Sequence, residues 1–201
     1  ASAGLTALVA GLRRTSAMSL VRCGAALVLL APLALLTWQR AAVFRNETAL
    51  WSDTLRRNPA SWLAHSNLGN VYLGQRDAAR AQQHFAAALR LKPDYEVTHY
   101  NVGLMLALAG DFAGAIERYG EALRIHPAFT DAYCRLASCA MMTRQYADAE
   151  DALRKALALE PDRFDIHYQL AALLHMQGRT REATTEYRAA IRLNPFMPDA
   201  L

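Results

Sequence analysis

Histidine stands at residues 65, 99 and 167, with Tyr133 completing the series, and imidazoles returning at one fixed interval could build a metal ladder. Copies separated by a helix-packing distance lie on the order of 10 Å apart, whereas a zinc–nitrogen bond is about 2 Å. Exchange of His for Tyr points instead to a bulky, half-buried ring at a stacking interface, so no metal is expected here. Cys134, Cys139 and His175 lack a regular zinc spacing. Asp148, Glu150 and Asp151 open a helix, where the backbone dipole favours negative charge without any catalytic purpose. With no Gly-rich phosphate loop, nucleophile elbow or paired catalytic carboxylates, no catalytic residue and no cofactor is assigned.

A polar series carries more. Asn67, Asn101, Arg135 and Gln169 each stand just before a Leu/Val–Gly/Ala pair, and all four donate hydrogen bonds that suit a peptide backbone or a carboxylate. Ser66, Tyr100, Cys134 and Tyr168 precede them by one residue, and Asn70 and Ser138 follow three later. On the inner face of a curved array, such a ladder suits an extended segment of a protein or peptide client. The other reading of the same positions is solvated polarity, or ties between neighbouring repeats. The expected peptide-binding residues are therefore Asn67, Asn70, Tyr100, Asn101, Arg135, Tyr168 and Gln169.

The elements that must position them follow from a period. Pro59, Pro93, Pro127, Pro161 and Pro195 fall 34 residues apart. Alanine recurs in phase at 81, 115, 149 and 183, and at 88, 122, 156 and 190; Phe85, Tyr119, Leu153 and Tyr187 supply a bulky series. Gly69, Gly103, Ala137 and Ala171 supply a third, small series. Small positions let two antiparallel helices approach, and proline ends the second helix by lacking an N–H and disfavouring helix before it. This period and pattern resemble tetratricopeptide repeats, helix–turn–helix units that stack into a solenoid. The fold class expected is all-α, a right-handed superhelix of four repeats with helices at 61–74 and 78–91, 95–109 and 112–125, 129–142 and 146–159, and 163–176 and 180–193. A half-repeat helix is expected to precede them near 47–57, packed on Trp62 and Leu63. The asparagine series is similar to the inner ladder of O-linked N-acetylglucosamine transferases, with Arg135 and Gln169 shifting the preference towards acidic segments. The lysine of chaperone-binding carboxylate clamps is not matched, since Ser66, Tyr100, Cys134 and Tyr168 occupy its place.

The first sixty residues differ in kind. Cys23–Trp38 is uncharged, and extension back to Ala17 adds one arginine, Arg22, near an end where it can snorkel. Trp38, Gln39 and Arg40 look like an interfacial flank. The expected organisation is residues 1–16 as the end of a preceding membrane segment and a basic loop, 17–39 as a transmembrane helix, 40–60 as juxtamembrane linker and half-repeat helix, and 61–201 as four repeats and the start of a fifth. Residues 1–60 hold seven arginines against Glu47 and Asp53, a charge of +5, while the repeats carry −1. No basic stripe lies on the solenoid itself, so nucleic acid is not an expected partner; anionic lipid suits the arm. Three cysteines do not make a disulfide framework. Both ends read as cut from a longer chain.

At the junction, Arg40-Ala-Ala-Val-Phe44-Arg45-Asn46-Glu47-Thr-Ala-Leu50-Trp51 is followed by Asn58-Pro59 and then the repeats. Together with the preceding span, this stretch resembles the C-terminal part of polytopic membrane proteins that carry transmembrane and tetratricopeptide repeats, whose eukaryotic members are protein O-mannosyltransferases. The resemblance implies a C-type glycosyltransferase using a polyprenyl-phosphate sugar, with acidic catalytic residues in an early loop that this sequence does not contain. It implies an acceptor-recruiting role for the repeats, on the periplasmic or ER-lumenal side of the membrane. The alternative is a membrane-anchored scaffold with no enzyme attached. Asn46-Glu47-Thr48 is also a glycosylation sequon, meaningful only in a secretory lumen.

Overall fold

The computed structural model describes residues 46–195. The expected membrane segment 17–39, the residues before it and the start of a fifth repeat lie outside the described residues. Among the described residues no helix is long and apolar enough to cross a membrane. The chain divides into two units between Asp53 and Thr54. Helix α1, Glu47–Arg57, crosses that division, and the Asn46 side chain accepts from the Thr48 N–H (2.9 Å) at its start.

The described part of the second unit is helical throughout. The pairs are α2 (Trp62–Gly74) with α3 (Ala78–Leu91), α4 (Glu96–Leu108) with α5 (Phe112–Ile125), α6 (Thr130–Met142) with α7 (Tyr146–Leu159), and α8 (Phe164–Met176) with α9 (Thr180–Leu193). Every second helix stops two residues before a proline, and the capping residues Lys92, His126, Glu160 and Asn194 have left the helical region (φ between −128° and −143°). That is the geometry a following pyrrolidine ring enforces. Between the helices of each pair the chain reverses through one left-handed residue, Arg76, Gly110, Arg144 and Gly178 in turn. In the first two repeats an aspartate follows, and Asp77 and Asp111 accept from the N–H groups of Arg80 and Gly114, both at 3.0 Å. These bonds satisfy donors that a helix start otherwise leaves bare.

Small residues fit large ones as the spacing predicts. A Cβ on Gly69 would come within 2.5 Å of the Phe85 ring, and one on Gly103 within 2.7 Å of Tyr119. The absence of a side chain there lets each ring lie against the opposing backbone. Ala81, Ala88, Ala115, Ala122, Ala149, Ala156, Ala183 and Ala190 are all buried. Successive first helices touch (α2 with α4, α4 with α6, α6 with α8), whereas among the described residues no contact joins successive second helices. The first helices therefore line the tighter, inner side of the stack.

The recurring histidines are structural ties. Nε2 of His65, His99 and His167 lies 3.2, 2.7 and 2.9 Å from the carbonyl oxygens of Pro59, Pro93 and Pro161. Each ring thus anchors the turn that opens its own repeat, six residues upstream. On the other edge, Nδ1 of His65 meets His84 Nδ1 at 3.0 Å and Nδ1 of His167 meets Glu186 Oε2 at 2.6 Å. His99 is buried with its Nδ1 unpartnered.

Candidate functional site

On the inner face, α4, α6 and α8 enclose a polar pocket of about 210 Å³ lined by Tyr100, Asp131, Cys134, Arg135, Ser138, Arg163, Asp165 and Gln169. Arg163, the residue before α8, reaches back one repeat: Nη1 donates to Asp131 (2.8 Å), while Nε and Nη2 grip both oxygens of Asp165 (3.0 and 2.7 Å). A two-pronged pair of this kind combines charge with fixed geometry. The Asp165 bond raises the guanidinium pKa well above its ordinary value, and the guanidinium in turn holds the Asp165 carboxyl below the usual carboxylate range. Across the pocket, Tyr100 stands beside Arg135 and raises the pKa of that guanidinium as well. Ser138 donates to the Cys134 carbonyl (2.9 Å) and lies 3.4 Å from Gln169 Oε1. Burial pushes the Cys134 thiol up to about 11, so it stands protonated at neutral pH.

A second, apolar pocket of about 170 Å³ adjoins the first, and Arg135 and Ser138 belong to both walls. Its other sides are Leu104, Ala107, Leu108, Phe112, Tyr119, Cys139 and Met142. Leu108 is 70% exposed, Met142 65% and Met176 55%, three large apolar residues at one repeat position on the inner helices. Tyr119 forms the floor, wholly buried, with its hydroxyl unpartnered. Burial drives that phenol's pKa upward, so it stays protonated.

Of the residues expected from sequence, Tyr100, Arg135 and Gln169 meet in the polar pocket. Asn101 is buried at 8% exposure. Asn67 donates to the Leu63 carbonyl of its own helix (2.9 Å), and Asn70 is exposed near the end of α2. Tyr168 packs edge-on to Tyr187, centroids 5.6 Å apart. Sequence reasoning passed over Asp131, Arg163 and Asp165, although Asp131 and Asp165 share one repeat position. It also passed over Leu108, Met142 and Met176, whose identical phase was visible.

Paired antiparallel helices stacked with their first members inward define a helical-repeat solenoid. Tetratricopeptide-repeat family models match residues 62–95, 106–154 and 135–198. The chain carries tetratricopeptide repeats. Among solved structures it is similar to MamA (16% identity, TM-score 0.69, covering 78% of this chain and 92% of that one). It is also similar to YrrB, described as a TPR protein with an unusual peptide-binding site (19%, 0.67, 83% and 86%), and to Pseudomonas aeruginosa PilF (20%, 0.69, 81% and 74%). At these identities the likeness is one of fold. No curated protein sequence matches the chain.

Proposed function

We propose that the repeats are a protein-binding module whose inner face holds an extended segment of a client protein. The observation that carries this reading is the meeting of Tyr100, Arg135 and Gln169 from three successive repeats around one polar pocket. Donors and acceptors spaced along parallel helices match the spaced amides of an extended chain. The peptide-binding site described for YrrB adds support by analogy of fold. The test is capture of extracytoplasmic proteins by the full chain in detergent, comparing wild type with Arg135→Ala/Gln169→Ala. Loss of clients is the expected result; equal recovery by both proteins would overturn the reading.

The setting proposed for this module is a membrane. Residues 17–39 act as its anchor, the repeats lie on the extracytoplasmic side, and the module recruits acceptors for a polyprenyl-phosphate-sugar-dependent glycosyltransferase. The basis is the uncharged stretch Cys23–Trp38 and the junction Phe44–Trp51 followed by Asn58-Pro59. Protease protection in sealed vesicles tests the side. O-linked mannose on captured clients supports the recruiting role, and its absence favours a scaffold without an enzyme.

A further inference from the structure

We infer that the groove selects an extended segment in which an apolar side chain stands next to an acidic one. The apolar side chain sits between Leu104, Leu108 and Met142, and the carboxylate meets Arg135. This rests on the protein-binding reading of the inner face and specifies what the client must present.

The Tyr119 hydroxyl is the first ground. A buried phenol ordinarily finds a partner, yet this one has none. Packing does not demand it, because Phe85 fills the same position in the first repeat, against Gly69, without a hydroxyl. Gly103 lets the Tyr119 ring pass α4 and form part of the apolar pocket's lining. A segment that seats by displacing the side chains over this buried hydroxyl would offer a backbone carbonyl to accept its proton.

Charge is the second ground. Arg163 is already held by Asp131 and Asp165. Arg135 stands beside Tyr100 on the pocket wall, and among the described residues no carboxylate lies within ion-pair distance of it. It stands on the wall shared by the two pockets, so a carboxylate there lies beside whatever fills the apolar one. Size is the third ground. A space of about 170 Å³ suits one branched or aromatic side chain, since a cavity of about 150 Å³ admits benzene.

The test uses the full chain in detergent and fluorescent, acetylated, amidated octapeptides with Leu–Asp, Leu–Asn or Ala–Asp at the centre of a Gly/Ser background. Leu–Asp should bind about tenfold more tightly than Leu–Asn, as a charge-assisted hydrogen bond does over a neutral one, and at least about tenfold more tightly than Ala–Asp. Arg135→Gln should erase the Asp preference, and Leu108→Ser/Met142→Ser the Leu preference. Tyr119→Phe should weaken all three peptides while leaving the thermal midpoint unchanged or higher, a combination a purely structural tyrosine would not give. Peptides that bind without preference, or with preferences the variants leave intact, overturn the inference while the protein-binding reading stands. The same holds if no peptide binds but clients are still captured through Arg135 and Gln169. Concentration-dependent self-association abolished by Leu108→Ser would assign the pocket to a second copy of the chain instead. Loss of both peptide binding and client capture removes both.

Discussion

A methyl group added at Gly103 would sit 2.7 Å from the Tyr119 ring, whereas one added at Gly120, in the helix opposite, would meet nothing within 4 Å. The two replacements by alanine should therefore move stability in opposite directions. Gly103→Ala overpacks a helix contact and should cost about 1–3 kcal/mol. Gly120→Ala gains helix propensity with no clash and should add about 1 kcal/mol. Urea midpoints measure both, and equal shifts would contradict the packing described. The His65–His84 pair makes a prediction about pH. His65 Nε2 donates to Pro59, which leaves its Nδ1 as acceptor for His84 across 3.0 Å. Burial first, and then the neighbouring His65, hold the His84 pKa below 6.5. A depressed folded pKa means the unfolded chain binds the proton first, so this contribution is present above about pH 6.5 and is lost as pH falls through the folded value. Amide exchange in α2 and α3, corrected for its intrinsic rate, should accelerate as pH drops from about 7 to about 5. His84→Gln, which keeps a donor and removes the titration, should flatten that dependence.

Helix starts divide the repeats. Asp77 and Asp111 cap α3 and α5, but Gln145 and Arg179 make no such bond for α7 and α9. Gln145→Asp places a carboxylate where its counterparts already work, and should raise stability by about 1 kcal/mol in thermal or urea unfolding. Helix bounds were legible in the sequence to within a residue, because proline and the phased alanines act locally and admit few alternatives. The inner face was legible in part. Arg135, Gln169 and Tyr100 stand at recurring repeat positions that the sequence displays, and the fold gathers these three around one pocket. Asn101, at the same repeat position as Arg135, is buried, and the pattern alone does not fix how deeply an amide sits. Arg163 was passed over because its counterparts Ser61, Tyr95 and Phe129 share no chemistry with it. Ser61 caps its helix, Tyr95 packs against Trp62 (4.5 Å between centroids) and Phe129 against Tyr100 (5.0 Å), so one position serves a different purpose in each repeat.

Every interhelix contact among the described residues joins neighbours within a pair or between adjacent pairs, so stability accumulates along the stack, repeat upon repeat. Such an array carries its own core, and its net charge from residue 61 onward is −1. A fragment beginning at residue 44 should stay dispersed in plain buffer, while the full chain should require detergent on account of residues 17–39. Full-length protein that remains monomeric in plain buffer would overturn the anchor. Residue usage along the stack also alternates. Tyr100 pairs with Tyr119, and Tyr168 with Tyr187, at nearly equal centroid separations of 5.7 and 5.6 Å. Leu106 and Leu174, and the left-handed Gly110 and Gly178, match across the same interval of 68 residues. The first and third repeats instead share arginine at the reversal, Arg76 and Arg144. At these positions the stack therefore repeats every 68 residues, and the second and fourth repeats each tie their inner helix to its outer partner through a tyrosine pair that the first and third lack.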